Sequence, residues 1–92
     1  MKKKLEYRKL ERIVKGFANH RRLQVLELLD KQPELSVIEV AEELKSDMKN
    51  ISAHINKMAI AGLVIKRNDI NMVRHKLTKR GKAILQFVRI LE

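Results

Sequence analysis

The sequence has no cysteine, one proline, three glycines and only 3% aromatic residues. The missing cysteines exclude disulfides, thiolate metal sites and thiol redox switching together, as is usual for an ordinary cytoplasmic protein. With few helix breakers and 45% hydrophobic residues in 92, a disordered chain is excluded and one compact, mostly helical domain over residues 1–92 is expected. That length leaves no room for a separate effector domain, so regulation would have to act on this unit itself. Long apolar runs are missing too. Residues 59–65 are broken by Gly62 and fall far short of a bilayer span. The opening Met-Lys-Lys-Lys resembles a signal-peptide start, but Glu6, Arg8, Lys9, Glu11 and Arg12 stand where its apolar region would have to be, so no targeting segment and no membrane partner are expected. There is no glycine-rich phosphate loop, nucleophile elbow or catalytic triad, which argues against an enzyme.

What the chain does have is positive charge, +10 in all, unevenly placed. Residues 1–31 carry ten basic and four acidic side chains, residues 32–47 one and five, and residues 48–92 ten and two. A basic excess confined to particular elements is the footprint of a polyanion partner, double-stranded nucleic acid above all.

Residues 44–64 locate the reading surface. Asp47 can cap a helix over 47–61 in which Ile51, Ile55 and Met58 recur at spacings of four and three, giving one buried stripe. The other side carries Lys49, Asn50, Ser52, Ala53, Asn56 and Lys57, short or donor-bearing side chains suited to a groove floor. Gly62 ends that helix. Upstream, Leu10, Ile13, Val14 and Phe17 predict a first helix over about residues 4–17, and Asn19 can cap a second with Leu23, Leu26 and Leu29 inward. Ser36-Val-Ile-Glu39 is a capping box opening a third helix with Val37, Val40, Ala41 and Leu44 on one face and Glu39, Glu42 and Glu43 outward.

Downstream, Leu63–Arg67 and Met72–Leu77 read as the strands of a hairpin joined by turn residues 68–71, forming a wing over 63–77. Alternation puts Val73, His75 and Leu77 toward the core and Met72, Arg74 and Lys76 outward. Lys66, Arg67, Arg74 and Lys76 are then the candidate clamps on phosphate. Thr78 can cap a last helix whose stripe is Ile84, Phe87, Val88 and Leu91. The fold class is therefore mainly α with a small β-hairpin, a winged helix-turn-helix of about five helices. Three helices and the wing already close a small core, so the stripes Leu10 and Phe17 on the first helix and Ile84, Phe87, Val88 and Leu91 on the last are expected at a homodimer interface. A dimer matches a palindromic operator with half-sites about 34 Å apart, or a multiple of that.

The run Phe17-Ala-Asn-His-Arg-Arg-Leu-Gln-Val-Leu-Glu-Leu-Leu29 resembles the second helix of ArsR-type winged-helix repressors. Leu35-Ser-Val-Ile-Glu-Val-Ala-Glu-Glu-Leu44, Ile51-Ser-Ala-His-Ile-Asn-Lys-Met58 and Ala61-Gly-Leu-Val64 are similar to the family's third helix, recognition helix and approach to the wing, in the same order. Leu77-Thr78 followed by Gly81 also resembles MarR-type regulators. The resemblance implies transcriptional regulation through DNA. Metal-sensing members place cysteines on the third helix, where this chain has Ser36 and Ile38, and Asp and His on the last, where it has Gln86 and Arg89. Metal sensing is thus not implied. Ala53 stands where such repressors often carry Arg or Gln.

His20, His54 and His75 have no local ligand spacing, and the acidic trio of the third helix lacks a partnered nucleophile. No cofactor and no metal are expected. The function expected is a sequence-specific DNA-binding repressor. A winged-helix module holding protein or RNA inside a transcription or replication assembly is the alternative, and it would show large apolar groups on the helix face that here is short and polar.

Overall fold

A computed structural model describes residues 3–92, so the first two residues of the charged start lie outside it. The elements run α1 (Tyr7–Lys15), α2 (His20–Lys31), α3 (Val37–Leu44), α4 (Met48–Ile60), β1 (Val64–Asn68), β2 (Val73–Leu77) and α5 (Lys79–Ile90). This is the winged helix-turn-helix expected, five helices and one antiparallel hairpin.

Local chemistry sets the boundaries. The Asn19 side chain accepts from the backbone N–H groups of Arg21 and Arg22, and Ser36 with Glu39 forms the reciprocal capping box. The bond from the Ser36 backbone N–H holds the Glu39 carboxyl below its ordinary range. Between α3 and α4 the chain reverses through Lys45, which is left-handed at φ 51°, with the Ser46 N–H reaching back to the Ala41 carbonyl at 2.9 Å. Gly62, at φ +77°, turns the chain out of α4 at a backbone conformation that favours glycine. The largest departure from expectation in length is at α1. Glu6 offers no side-chain cap and Gly16 closes the helix, so Leu5 precedes it and Phe17 follows it.

The core is shared by α2, α3, α4, the base of the wing and α5. Val25, Leu26, Leu29, Val40, Ile51, Ile55, Met58 and Leu63 are essentially without solvent contact. From α5 the inward residues are Gly81 and Leu85, which the sequence reading did not name. Ile84 and Phe17 are half-buried and pack against this same core, which corrects their placement among wholly unpartnered residues. The neighbouring face keeps Phe87 (50%) and Leu91 (67%) exposed with Val88 half-buried. No residue of α1 is buried, and Leu10 and Val14 remain open.

The wing is anchored by a contact the sequence did not suggest. Leu35, in the loop between α2 and α3, pairs with His75 as a one-residue third strand, and the Glu34 N–H donates to the His75 carbonyl at 2.9 Å. His75 itself is buried, its Nδ1 2.8 Å from the Leu35 carbonyl. Because a carbonyl only accepts, the neutral ring carries its proton on Nδ1. Burial pushes the His75 pKa down against that hydrogen bond, and burial together with the charge of Arg22 pushes down His54, whose Nδ1 accepts from Arg22 Nε at 3.1 Å.

Both imidazoles are thus harder to protonate folded than unfolded. Below the ordinary value of about 6.5 the unfolded chain binds the extra protons, so stability is lost as pH falls from there through the folded values. The urea midpoint is expected to drop steadily between pH 7 and pH 5, a window above the carboxylates. A flat midpoint across it would put both rings in water.

Candidate nucleic-acid interface

Everything about the exposed face of α4 follows from where the helix begins. Asp47 Oδ2 accepts from the Asn50 N–H at 3.1 Å, and that start turns Ile51, Ile55 and Met58 wholly inward. At about 100° per residue the remaining positions fall opposite. Lys49, Ala53 and Asn56 make the outermost line, Asn50 and Lys57 one flank, and half-buried Ser52 the other, all but Ser52 exposed. Ala53 leaves a shallow gap between Lys49 and Asn56. Ile60 continues the same line at 84% exposure, an apolar end to the face that the sequence reading left out.

The wing register corrects the expected grouping of its cations. Lys66 lies opposite His75, and Arg67 opposite Arg74. Opposed residues share a face, so Lys66 belongs to the inner face with His75 and Leu77, while Arg67, Arg74 and Lys76 lie on the outer one. Adjacent residues on a strand cannot share a side. From its inner position Lys66 reaches α4, where its Nζ meets the Asn56 Oδ1. That contact ties the wing to α4 through the Asn56 amide oxygen.

On the outer face two of the three cations already have partners. Arg74 Nε donates to Asp69 Oδ2 at 2.9 Å and its Nη1 to the Glu34 carbonyl at 3.0 Å, while Arg67 Nε donates to Glu34 Oε1 at 3.1 Å. The Arg74 hydrogen bond holds the Asp69 carboxyl below its ordinary range. Glu34 is a hub missed from the sequence: it is left-handed at φ 73°, and its Oε2 is buried without a hydrogen-bond partner. No residue signal marks a glutamate for such a backbone, which glycine or asparagine usually supplies.

Three further arginines close helix ends. Arg22 donates to the Lys15 carbonyl at the end of α1, Arg21 to Leu44 at the end of α3 (3.2 Å), and Arg80 to Ala61 at the end of α4 (2.9 Å). Part of the basic excess counted from the sequence is therefore structural. Lys76 is the outer wing cation without a recorded partner among the described residues. Lys76→Ala is expected to lower the slope of log K against log salt by about 1 unit, the loss of one phosphate contact, at unchanged stability. An unchanged slope would take that face off the backbone.

Among the described residues no three His, Asp or Glu side chains gather as a metal site, and no helix is long and apolar enough to cross a membrane. His20 opens α2, and the nitrogens of His54 and His75 described above are already hydrogen-bonded.

Residues 19–66, spanning α2 to the first wing strand, match the family described as bacterial regulatory protein, arsR family. An HTH-type transcriptional regulator of Methanocaldococcus jannaschii is 34% identical over 64 residues, 70% of this chain and 72% of that one. HlyU from Vibrio cholerae is 31% identical with a TM-score of 0.78, covering 92% of both chains. A domain from Mycobacterium bovis, solved by NMR, shares the fold at a TM-score of 0.83 and 24% identity, over 99% of this chain and 89% of that one. The chain belongs to the ArsR family, transcription regulators built on a helix-turn-helix DNA-binding fold and not a family of enzymes.

Proposed function

We propose that this chain is a homodimeric, sequence-specific repressor that occludes a promoter, with α4 in the major groove and the wing against the DNA backbone. The observation that carries the proposal is the open face of α4, where Lys49, Asn50, Ala53 and Asn56 stand exposed on a helix whose other side is wholly buried. A rigid helix with short outward side chains can reach the groove floor, whereas bulky ones would hold it off. From Lys49 to Lys57 the surface is polar, with Ile60 as its one large apolar side chain at the far end, and this disfavours the alternative of a protein- or RNA-docking module. Support for a dimer comes from the Mycobacterium bovis domain of the same fold, which is described as a homodimeric DNA-binding domain.

The roles divide by chemistry. Asn50 and Asn56 present amides able to pair with adenine edges, Asn56 being steadied by Lys66. Lys49 faces the groove from the outermost line, Lys57 and Ser52 serve its edges from the two flanks, and Arg67, Arg74 and Lys76 serve the backbone under the wing. The ion pairs of Arg67 and Arg74 lie at the surface, where water and salt screen them, so a phosphate can compete for either cation.

The deciding experiment is selection of bound sequences from a random duplex pool, with a palindromic consensus expected. On that consensus Asn50→Ala should cost about 1–3 kcal/mol, and on random duplex almost nothing. Equal losses on both would reduce Asn50 to a backbone contact. A pool that yields no consensus would overturn sequence-specific reading and bring the docking module forward.

A further inference from the structure

A cleft of about 540 Å³ opens between α1, the start of α2, the last turn of α4 and the first turn of α5. Its walls carry Lys9, Arg12 and Lys15 from α1, Arg22 from α2, Lys57 from α4 and Arg80 from α5, and no acidic residue lines it. Among these only Lys15 has a carboxylate partner among the described residues, Glu11 at 3.3 Å on the open surface. The recorded bonds of Arg22 and Arg80 go to neutral acceptors, the Lys15 and Ala61 carbonyls and the His54 ring. Charge brought together by four separate elements is therefore left uncompensated, and like charges so placed repel. The floor is apolar, made by buried Ala61 and half-buried Ile13, with exposed Ile60 at the rim.

We propose that this cleft binds a small organic anion, a phosphate or carboxylate head carrying a short apolar chain. Guanidinium groups take oxyanions in paired hydrogen bonds, the lysines add charge, and the floor accepts a tail that would otherwise stay in water. The volume suits a small molecule, since such sites run to about 300–1,000 Å³. An inorganic ion would leave the floor bare, and Ile60 would remain open to solvent.

The position gives the site a consequence. It lies at the far end of α4 from Lys49 and Asn50, more than about 10 Å along the helix. Its walls join α1, a helix with no buried residue, to the end of the reading helix. A close seam there is Gly16 against Ala61, where a Cβ on Gly16 would come within 2.3 Å of the Ala61 Cβ. An anion held between Arg12 and Lys57 fixes α1 against α4, and Arg80 carries the contact to the Ala61 carbonyl at the end of α4. None of this depends on the chain being a repressor.

The test is calorimetric titration of the full chain with hexyl phosphate, inorganic phosphate and 1-hexanol at fixed ionic strength. Hexyl phosphate is expected to bind once per chain, at least about tenfold more tightly than inorganic phosphate, with no saturable binding of hexanol. Lys9→Gln combined with Arg12→Gln should weaken it about tenfold or more. Ile60→Ser, on a different helix, should abolish its advantage over inorganic phosphate. Equal binding of the two phosphates, or variants that bind as the parent does, would overturn the proposal. So would displacement of hexyl phosphate by random duplex DNA with an equal loss of duplex affinity in the double variant, which would make the cleft a seat for the DNA backbone.

Discussion

Gly81→Ala should destabilise the domain by about 3 kcal/mol and lower its thermal midpoint by more than about 10 °C, although alanine is the better helix former. Two effects compete at this position. In an exposed helix the exchange gains about 1 kcal/mol from propensity. Here a Cβ would stand 2.2 Å from the Leu63 carbonyl oxygen and 3.1 Å from its carbon. Those are backbone atoms between α4 and β1, and the same oxygen accepts from the Thr78 N–H at 3.0 Å. The neighbour cannot rotate away as a side chain could. Relief requires α5 to lift from the sheet, which opens the contact of Leu85 with the core, so overpacking outweighs propensity. Calorimetric melting of parent and variant decides it, and a midpoint that held or rose would mean that α5 is not seated on Leu63.

That contact also explains where the sequence was silent. Hydrophobic spacing found the inward stripe of α4 because the opposite side from Lys49 to Lys57 is polar apart from the small Ala53. In α5 the run Ala83-Ile-Leu-Gln-Phe-Val88 offers apolar side chains on several sides, and spacing alone selected the line through Ile84, Phe87 and Leu91. The side that is buried is fixed by Gly81, which has no side chain to enter such a pattern. Periodicity reads a helix's roll only when one face is clearly apolar.

Charge was legible in amount and less so in purpose. The basic excess around α4 and the wing is real, yet Arg21, Arg22 and Arg80 close helix ends and Arg74 braces the wing. Each of these bonds joins residues 7 to 40 positions apart in the chain, in pairings set by the tertiary fold rather than by any local motif. Caps formed within three residues, at Asn19, Ser36, Asp47 and Thr78, were all readable beforehand. The alternation of a strand likewise contained the separation of Lys66 from Arg67, since neighbours on a strand must face opposite ways.

Phe87→Glu should convert the proposed dimer to single chains at micromolar concentration and lower affinity for a palindromic site by at least about a hundredfold. Phe87 is 50% exposed on the face of α5 that Leu91 shares, while α1 shows Leu10 at 39% and Val14 at 48%. Apolar surface on two helices, beside a core already closed by Leu26, Ile55 and Leu63, is the kind of patch that a second copy covers. A two-fold contact repeats every substitution, so two carboxylates would enter an apolar interface together. Each would have to be desolvated without a partner, and separation is the cheaper outcome. The reading head should remain folded because Phe87 is no part of the core, and melting of the variant checks this. Affinity then falls to that of one half-site, since the second contact is no longer held near the first. Light scattering and binding to full and half-sites give the answer together. A parent that scatters as a single chain, or a variant that holds the full site as tightly as the parent, would refute the dimer while leaving the polar face of α4 as a monomeric reader.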